Sequence, residues 1–219
     1  MGLSNYAELQ AAVGNWLARG DLAAQIPDFI ALAEQRIFYG SDDPSFPSPP
    51  LRIRAMEETT DPATYVTVPD VATLALPPGF LEARALWLAT DPVRDLDFVT
   101  QKQLAAEWAG RAAARPRVYS FAGDALRLGP TPDAAYGISL SYYRKFDPLA
   151  VTPTNWLTIN APGIYLYAAL LEAQPFLMKD ERLPVWAALY GAAARALMQS
   201  DARDRFGGPL AMCVAGETP

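Results

Sequence analysis

The side chains of this sequence that could act as acids, bases or metal ligands are mainly carboxylates, because histidine is absent and Cys213 is the single cysteine. Without histidine, the chain lacks the commonest general base near neutral pH and the commonest metal ligand. Asp42-Asp43 and Asp180-Glu181 are adjacent carboxylates, but sequence neighbours do not converge on one substrate atom as a general acid and base must. We interpret both pairs as turn or helix-cap residues, and we expect no catalytic residue, metal or cofactor.

Other motifs that resemble binding sites also have simpler structural interpretations. Pro77-Pro78-Gly79 and Gly207-Gly208 lack the Gly-x-x-x-x-Gly-Lys pattern of a phosphate loop and are interpreted as turns. Tyr142 to Lys145 could stack on and neutralise nucleic acid, but the alternation of apolar and polar residues from Ile138 onward favours a strand. One enzymatic alternative stays open: a hydrolase whose carboxylates come from distant positions such as Glu58, Glu82 and Asp97.

The composition indicates a globular protein without general affinity for polyanions. Apolar residues make up 51% of the 219 residues, and the formal net charge of −6 disfavours binding to nucleic acid or anionic lipid. The most apolar stretch, 155–182, contains Asn155, Asn160, Pro162, Glu172 and Pro175, so it does not provide the ~20 consecutive apolar residues of a membrane span. The first 20 residues lack the pattern of a secretory signal.

Helices are predicted at both ends of the chain. Asn5 and Glu8 have capping-box spacing, which starts a helix that we expect Gly20 to end; a second helix opens at Pro27. Near the other end, Pro162 begins a helix that we expect to break at Pro175. A last helix follows from about Leu183, with its core-facing side chains expected at Trp186, Leu189, Tyr190, Ala193 and Leu197.

Between these helix pairs the sequence predicts β-structure. Residues 41–50 contain four prolines and are interpreted as an extended connection. Short β-branched and aromatic runs follow, which we predict to form antiparallel strands, with a type II′ hairpin turn at Gly123-Asp124 and one helix from Thr100 to Trp108. The predicted fold is therefore α+β: one domain, 1–219, with a helical bundle from 1–40 and 160–206, a β-rich insertion at 51–148 and a tail at 207–219.

Five segments in this order resemble the head-to-tail adaptor family of tailed bacteriophages, relatives of tail tubular protein A of short-tailed phages. They are YAELQAAVGNWLARGDLAAQIPDFIALAEQRI, YGSDDPSFPSPPLRIRAMEETT, LPPGFLEARALWL, YYRKFDPL and NWLTINAPGIYLYAALLEA. The resemblance covers residues 6 to about 206. No single motif is decisive, but the ordered set is specific.

The resemblance implies a structural protein of the virion neck, assembled in the cytoplasm of the bacterial host. Such adaptors form a ring, usually of twelve copies, beneath the portal protein, where they extend the channel for double-stranded DNA and offer a platform to the tail nozzle. They have no membrane partner and catalyse nothing. An acidic wall would let DNA slide without sequence-specific binding. The alternative within this class is another neck or tail structural protein, such as a completion protein or the nozzle itself.

The expected contacts with portal and neighbouring subunits follow from this resemblance. Tyr165, Ala168 and Ala169 would face the next subunit, and Trp16, Trp186 and Tyr190 are expected not to be fully buried within one chain. The candidate docking residues are Phe46 in the proline-rich loop, together with Arg203, Arg205, Phe206, Leu210 and Met212 near the C-terminus. The tail contains an apolar cluster that would fill a groove on the portal or a neighbour, with folding back onto its own helices as the alternative.

Overall fold

The computed structural model describes residues 2–177 and 181–205, and the chain divides into two compact units. Met1–Arg54 together with Pro148–Pro219 form the first, here called the helical unit, and Ala55–Asp147 form the second, the β-rich unit. The α+β prediction is confirmed, with helices from both ends of the chain packed together. The assignment of the whole chain to one domain stays a prediction.

Within residues 2–177 and 181–205, the helical unit contains five α-helices, numbered in chain order with the rest of the protein: α1 (Tyr6–Leu17), α2 (Ile26–Tyr39), α4 (Trp156–Asn160), α5 (Pro162–Glu172) and α6 (Leu183–Arg205). α5 packs against α1, α2, α4 and α6 and is the centre of this unit. It ends at Glu172 and is followed by a short 3-10 turn, Gln174–Phe176, so the predicted break at Pro175 is confirmed.

The first helix begins as predicted but ends earlier. The Asn5 side chain accepts a hydrogen bond from the Glu8 amide at 2.9 Å. The Glu8 carboxylate, however, accepts from the backbone amide of Ser4, also at 2.9 Å, and not from that of Asn5. The prediction of a Gly20 cap is wrong: Ala18 ends the helix in the left-handed conformation, with φ 54°, and Gly20 opens a 3-10 turn.

α5 is buried on nearly all sides, which overturns the expectation of a subunit-facing surface there. Tyr165, Ala168 and Ala169 are at most 1% exposed, because helices from both ends of the chain surround α5. Burial in apolar surroundings raises the pKa of the Tyr165 hydroxyl. That hydroxyl accepts a hydrogen bond from Asn155 Nδ2 at 2.8 Å, which satisfies the buried oxygen.

The expectations for the tryptophans and α6 are met only in part. Trp186 and Tyr190 are 3% and 4% exposed, so the prediction that they would not be fully buried is wrong. Leu189, predicted to face the core, is instead 37% exposed. Trp16 is 42% exposed, as expected for a side chain that serves more than the core.

The β-rich unit consists of two four-stranded sheets and one helix, α3 (Gln101–Trp108). Its strands are β1 (Glu57–Thr59), β2 (Thr73–Ala75), β3 (Phe80–Leu88), β4 (Arg94–Asp95), β5 (Asp97–Phe98), β6 (Val118–Ala122), β7 (Ala125–Gly129) and β8 (Ile138–Arg144). The strand orders are β1-β8-β3-β4 and β2-β7-β6-β5. Side chains of both sheets form a common core, including Leu86, Leu126, Leu128, Ile138 and Leu140.

The local predictions in the β-rich unit are largely confirmed, and the strand prediction is confirmed with two exceptions. Gly123-Asp124 joins β6 to β7, and the positive φ of Gly123 agrees with the predicted turn. Thr100 and Gln103 form the capping box of α3. The predicted run that forms β6 pairs antiparallel with β7, as expected. β5, which was not predicted, adds a parallel pairing on the other side of β6. The run at 64–68 was predicted to be a strand but contributes only an isolated bridge at Val66.

Candidate assembly surfaces

The proline-rich loop at 41–50 is a fixed projection of the helical unit. Its two ends are joined by backbone hydrogen bonds between Ser41 and Ser48, at 2.8 Å and 2.9 Å. Leu51, just after the loop, donates its amide to the Ile37 carbonyl at 2.8 Å. The loop is therefore tied back to the end of α2 rather than being a free connection, and its shape is set before any partner binds.

A largely buried ion pair connects the loop to the helices of the unit. The Arg36 guanidinium pairs with the Glu172 carboxylate of α5 and donates a hydrogen bond to the Phe46 carbonyl at 3.0 Å. Side-chain exposure is 9% for Arg36 and 18% for Glu172. One side chain therefore links the central helix to the loop that contains the first candidate docking residue.

The outer side of this loop combines apolar surface with acidic groups. Phe46 is half-buried, whereas Tyr39, the last residue of α2, is 61% exposed. Tyr39, Asp42 and Pro47 line one shallow cleft of about 410 Å³. An exposed aromatic residue next to a fixed loop is the kind of surface that protein interfaces use.

The end of α6 is stabilised by ion pairs within the helical unit. The Asp201 carboxylate accepts hydrogen bonds from the Arg54 amide at 2.8 Å and from Arg205 Nε at 2.9 Å. Burial opposes ionisation of Asp201, but these bonds outweigh it and lower the pKa of the carboxyl. Arg205 is thus engaged within the chain, whereas Arg203 is exposed. The other candidates, Phe206, Leu210 and Met212, lie outside the described residues.

Further exposed apolar side chains lie where α1 and α6 meet. Arg182 donates to the Trp16 carbonyl at 3.0 Å and lies 4.9 Å from the centroid of the Trp186 ring, so the end of α1 and the start of α6 are adjacent. Val185 and Leu189, one helical turn apart on α6, are both exposed. Sequence reasoning placed Leu189 in the core and did not single out Val185 or Tyr39 as exposed.

The carboxylates of the enzymatic alternative do not form one group. Glu58 accepts from the Tyr142 hydroxyl at 3.3 Å and lies 3.7 Å from Arg144 Nε. Glu82 lies on β3 of the same sheet, but Asp97 lies on β5 of the other. No group of His, Cys, Asp and Glu in the described part of the chain could hold a metal ion. Likewise, none of the described helices is long and apolar enough to cross a membrane.

The helical unit presents a fixed loop and exposed aromatic side chains, which are features of surfaces that bind other proteins. The chain belongs to the SU10 adaptor protein family of phage head-to-tail adaptors, whose family model matches residues 4–213. The resemblance inferred from the sequence is thus confirmed over nearly the whole chain. None of the curated proteins searched matches it significantly.

Proposed function

We propose that this chain forms a ring of twelve copies beneath the portal protein of a tailed phage. The ring extends the DNA channel and provides the attachment platform for the tail nozzle. The family match over residues 4–213 carries this proposal. The exposed apolar groups of the helical unit support it, because side chains such as Trp16 and Tyr39 gain free energy when a neighbouring subunit covers them. The chain itself performs no catalysis in this role.

The proposed role also accounts for the charge of the chain. A formal net charge of −6 repels the phosphate backbone, which carries roughly one negative charge per 1.7 Å of duplex axis. DNA would then pass through the ring without being held and without sequence-specific contacts.

The test is electron microscopy and mass measurement of complexes between this chain and the portal protein of the same genome. A closed ring of copies seated on the portal is the expected result. The proposal would be contradicted by single copies at irregular positions on the portal, or by a chain that does not bind the portal at any mixing ratio. A chain that binds the nozzle but not the portal would instead be another neck or tail protein.

Within this role, we infer that Phe46 anchors the loop on a neighbouring subunit or partner. Its backbone is fixed by Arg36 while its side chain is only half-buried. We expect Phe46→Ala to weaken ring formation on the portal while the melting temperature stays close to that of the wild type. The matched control is Val93→Ala, which shortens an apolar side chain that is 63% exposed in the β-rich unit. A large fall in melting temperature with intact rings would show that Phe46 serves the core instead.

The tail from Gly207 to Pro219 is proposed as a second contact with the portal or a neighbour, through Leu210 and Met212, with Arg203, Arg205 and Phe206 orienting it. Deletion of residues 210–219 should leave a normally folded chain that no longer binds the portal. Unchanged portal affinity after the deletion would rule this contact out, and lost thermal stability with retained binding would assign the tail to its own helices.

A further inference from the structure

A basic cleft lies within the β-rich unit, whereas the docking residues proposed above belong to the helical unit. The segment between α3 and β6 contributes three arginines to its wall, Arg111, Arg115 and Arg117. Thr90, Pro130 and Tyr136 also line it, and its volume is about 520 Å³. This size accommodates a few side chains of a protruding segment, whereas a flat protein surface could not enter it.

The cleft is built by the backbone and does not depend on a partner for its shape. The Ala114 amide donates to the Thr131 carbonyl at 2.9 Å, and the Arg117 amide donates to the Gly129 carbonyl at 2.8 Å. The arginine segment is therefore fixed alongside the chain that follows β7. Trp108 packs so closely on Gly129 that a Cβ there would lie 3.1 Å from its Cγ, which seats the indole ring beside the cleft.

The arginines of the cleft are not paired directly with a carboxylate within the described part of the chain. Among the described residues, Arg111, Arg115 and Arg117 form no ion pair. The Arg111 guanidinium lies 4.5 Å from the centroid of the Trp108 ring, an arrangement that orders an arginine without neutralising it. The nearby carboxylate of Asp133 accepts a hydrogen bond from the Tyr136 hydroxyl at 2.7 Å.

Arginines held in this way are suited to carboxylates. A guanidinium offers paired N–H donors that match the two oxygens of a carboxylate, and the indole and proline rings beside them can cover apolar carbon atoms. Duplex DNA is a poorer match, because residues 55–147 contain twelve acidic against nine basic side chains. A long polyanion would meet that excess of negative charge, whereas a short acidic segment would contact only the cleft.

We propose that this cleft binds an extended acidic segment of a partner protein, with Arg115 and Arg117 pairing with its carboxylates. The inference goes beyond the adaptor role, because it assigns a specific binding site to the β-rich unit. The binding of an acidic segment can be tested separately from ring formation, because it is measured on the isolated chain without the portal.

The probe is a short fluorescent peptide of alternating glutamate and alanine, with a glutamine version as its uncharged control, and binding is followed by fluorescence anisotropy. The chain should bind the glutamate peptide and not the glutamine one, and binding should weaken as salt increases. Arg115→Gln and Arg117→Gln should each weaken binding about tenfold, the effect expected for loss of a charge-assisted hydrogen bond. Arg127→Gln removes an equal charge from β7 outside the cleft and should leave binding unchanged.

Three results would overturn the inference. If Arg127→Gln weakens peptide binding as much as the cleft variants do, the affinity depends on net charge and not on the cleft. Duplex DNA that binds as tightly as the peptide and loses its affinity in the Arg115→Gln variant would make the site a phosphate-backbone site. Self-association of the chain that is lost in the Arg115→Gln variant, without any binding of the peptide, would make the cleft a contact between copies. Unchanged circular dichroism and melting of each variant provide the folding control.

Discussion

Replacement of Arg36 by methionine tests whether the buried ion pair holds the helical unit together. The change removes the partner of Glu172 and the hydrogen bond to the Phe46 carbonyl, while most of the apolar length of the side chain is kept. Because both side chains are largely buried, an unpaired Glu172 would carry an uncompensated charge. Loss of one partner of such a pair costs about 3–5 kcal/mol, and the 18% exposure of Glu172 places the expected loss near the lower end, about 3 kcal/mol.

Urea unfolding of the isolated chain, followed by the helical circular dichroism signal, measures this loss. With an m-value of about 2 kcal/mol per molar urea, the unfolding midpoint should fall by about 1.5 M. The double variant Arg36→Met, Glu172→Met is the matched control: with both charges gone, it should recover most of the loss, because an apolar pair of similar volume is often as stable as the buried ion pair.

Two results would refute this reasoning. A loss below about 1 kcal/mol in the Arg36→Met variant would mean that the pair behaves like an exposed one, screened by water. A double variant as unstable as the single one would mean that the loss comes from packing or from the loop bond to Phe46, and not from the unpaired carboxylate.

Two further predictions concern conformation and pH. Gly40→Ala should destabilise the chain by about 1–3 kcal/mol, because Gly40 has φ 80° and an added Cβ would lie 2.8 Å from the Ser48 carbonyl oxygen. Gly20→Ala is the control, because a Cβ there meets no atom within 4 Å apart from its own residue and chain neighbours. Equal shifts in melting temperature for both variants would contradict the prediction. The lowered pKa of Asp201 contributes stability that is present above its unfolded value of about 3.8 and is lost as pH falls through the folded value. The melting temperature of the Asp201→Asn variant should therefore fall less with decreasing pH than that of the wild type. Asp204→Asn, which removes only an exposed ion pair, should leave this pH dependence unchanged. The same fall in melting temperature at acid pH in the wild type and the Asp201→Asn variant would contradict the prediction.

The features that sequence analysis predicted well are those that short-range chemistry decides. The Asn5 cap, the helix start at Pro162 and the turn at Gly123 each depend on one or two residues and their immediate neighbours. The short helix at 156–160 was missed, although Asn155 and Thr158 form a capping box there; the spacing of these two residues was the available signal.

The features that sequence analysis missed depend on how many helices or strands surround a residue in the folded chain. The pattern of α5 indicated one buried stripe, but α1, α2 and α6 cover the opposite side as well, so Tyr165 has no exposed face. The parallel pairing of β5 with β6 joins segments on either side of α3, which no local pattern encodes. For the basic cleft, the spacing of Arg111, Arg115 and Arg117 was visible in the sequence, but the opposite wall comes from residues beyond β7.

The division of the helical unit in sequence also sets an order of events during translation. α2 packs against α5, yet more than a hundred residues, including the whole β-rich unit, separate them. At about 5–20 residues per second, the ribosome needs on the order of ten seconds to deliver α5 after α2. Meanwhile Phe29, Ile30 and Ile37, buried in the finished protein, lack that cover on the nascent chain. The β-rich unit, whose strands pair only with one another, can fold during this interval, so the N-terminal helices are completed only after the middle of the chain.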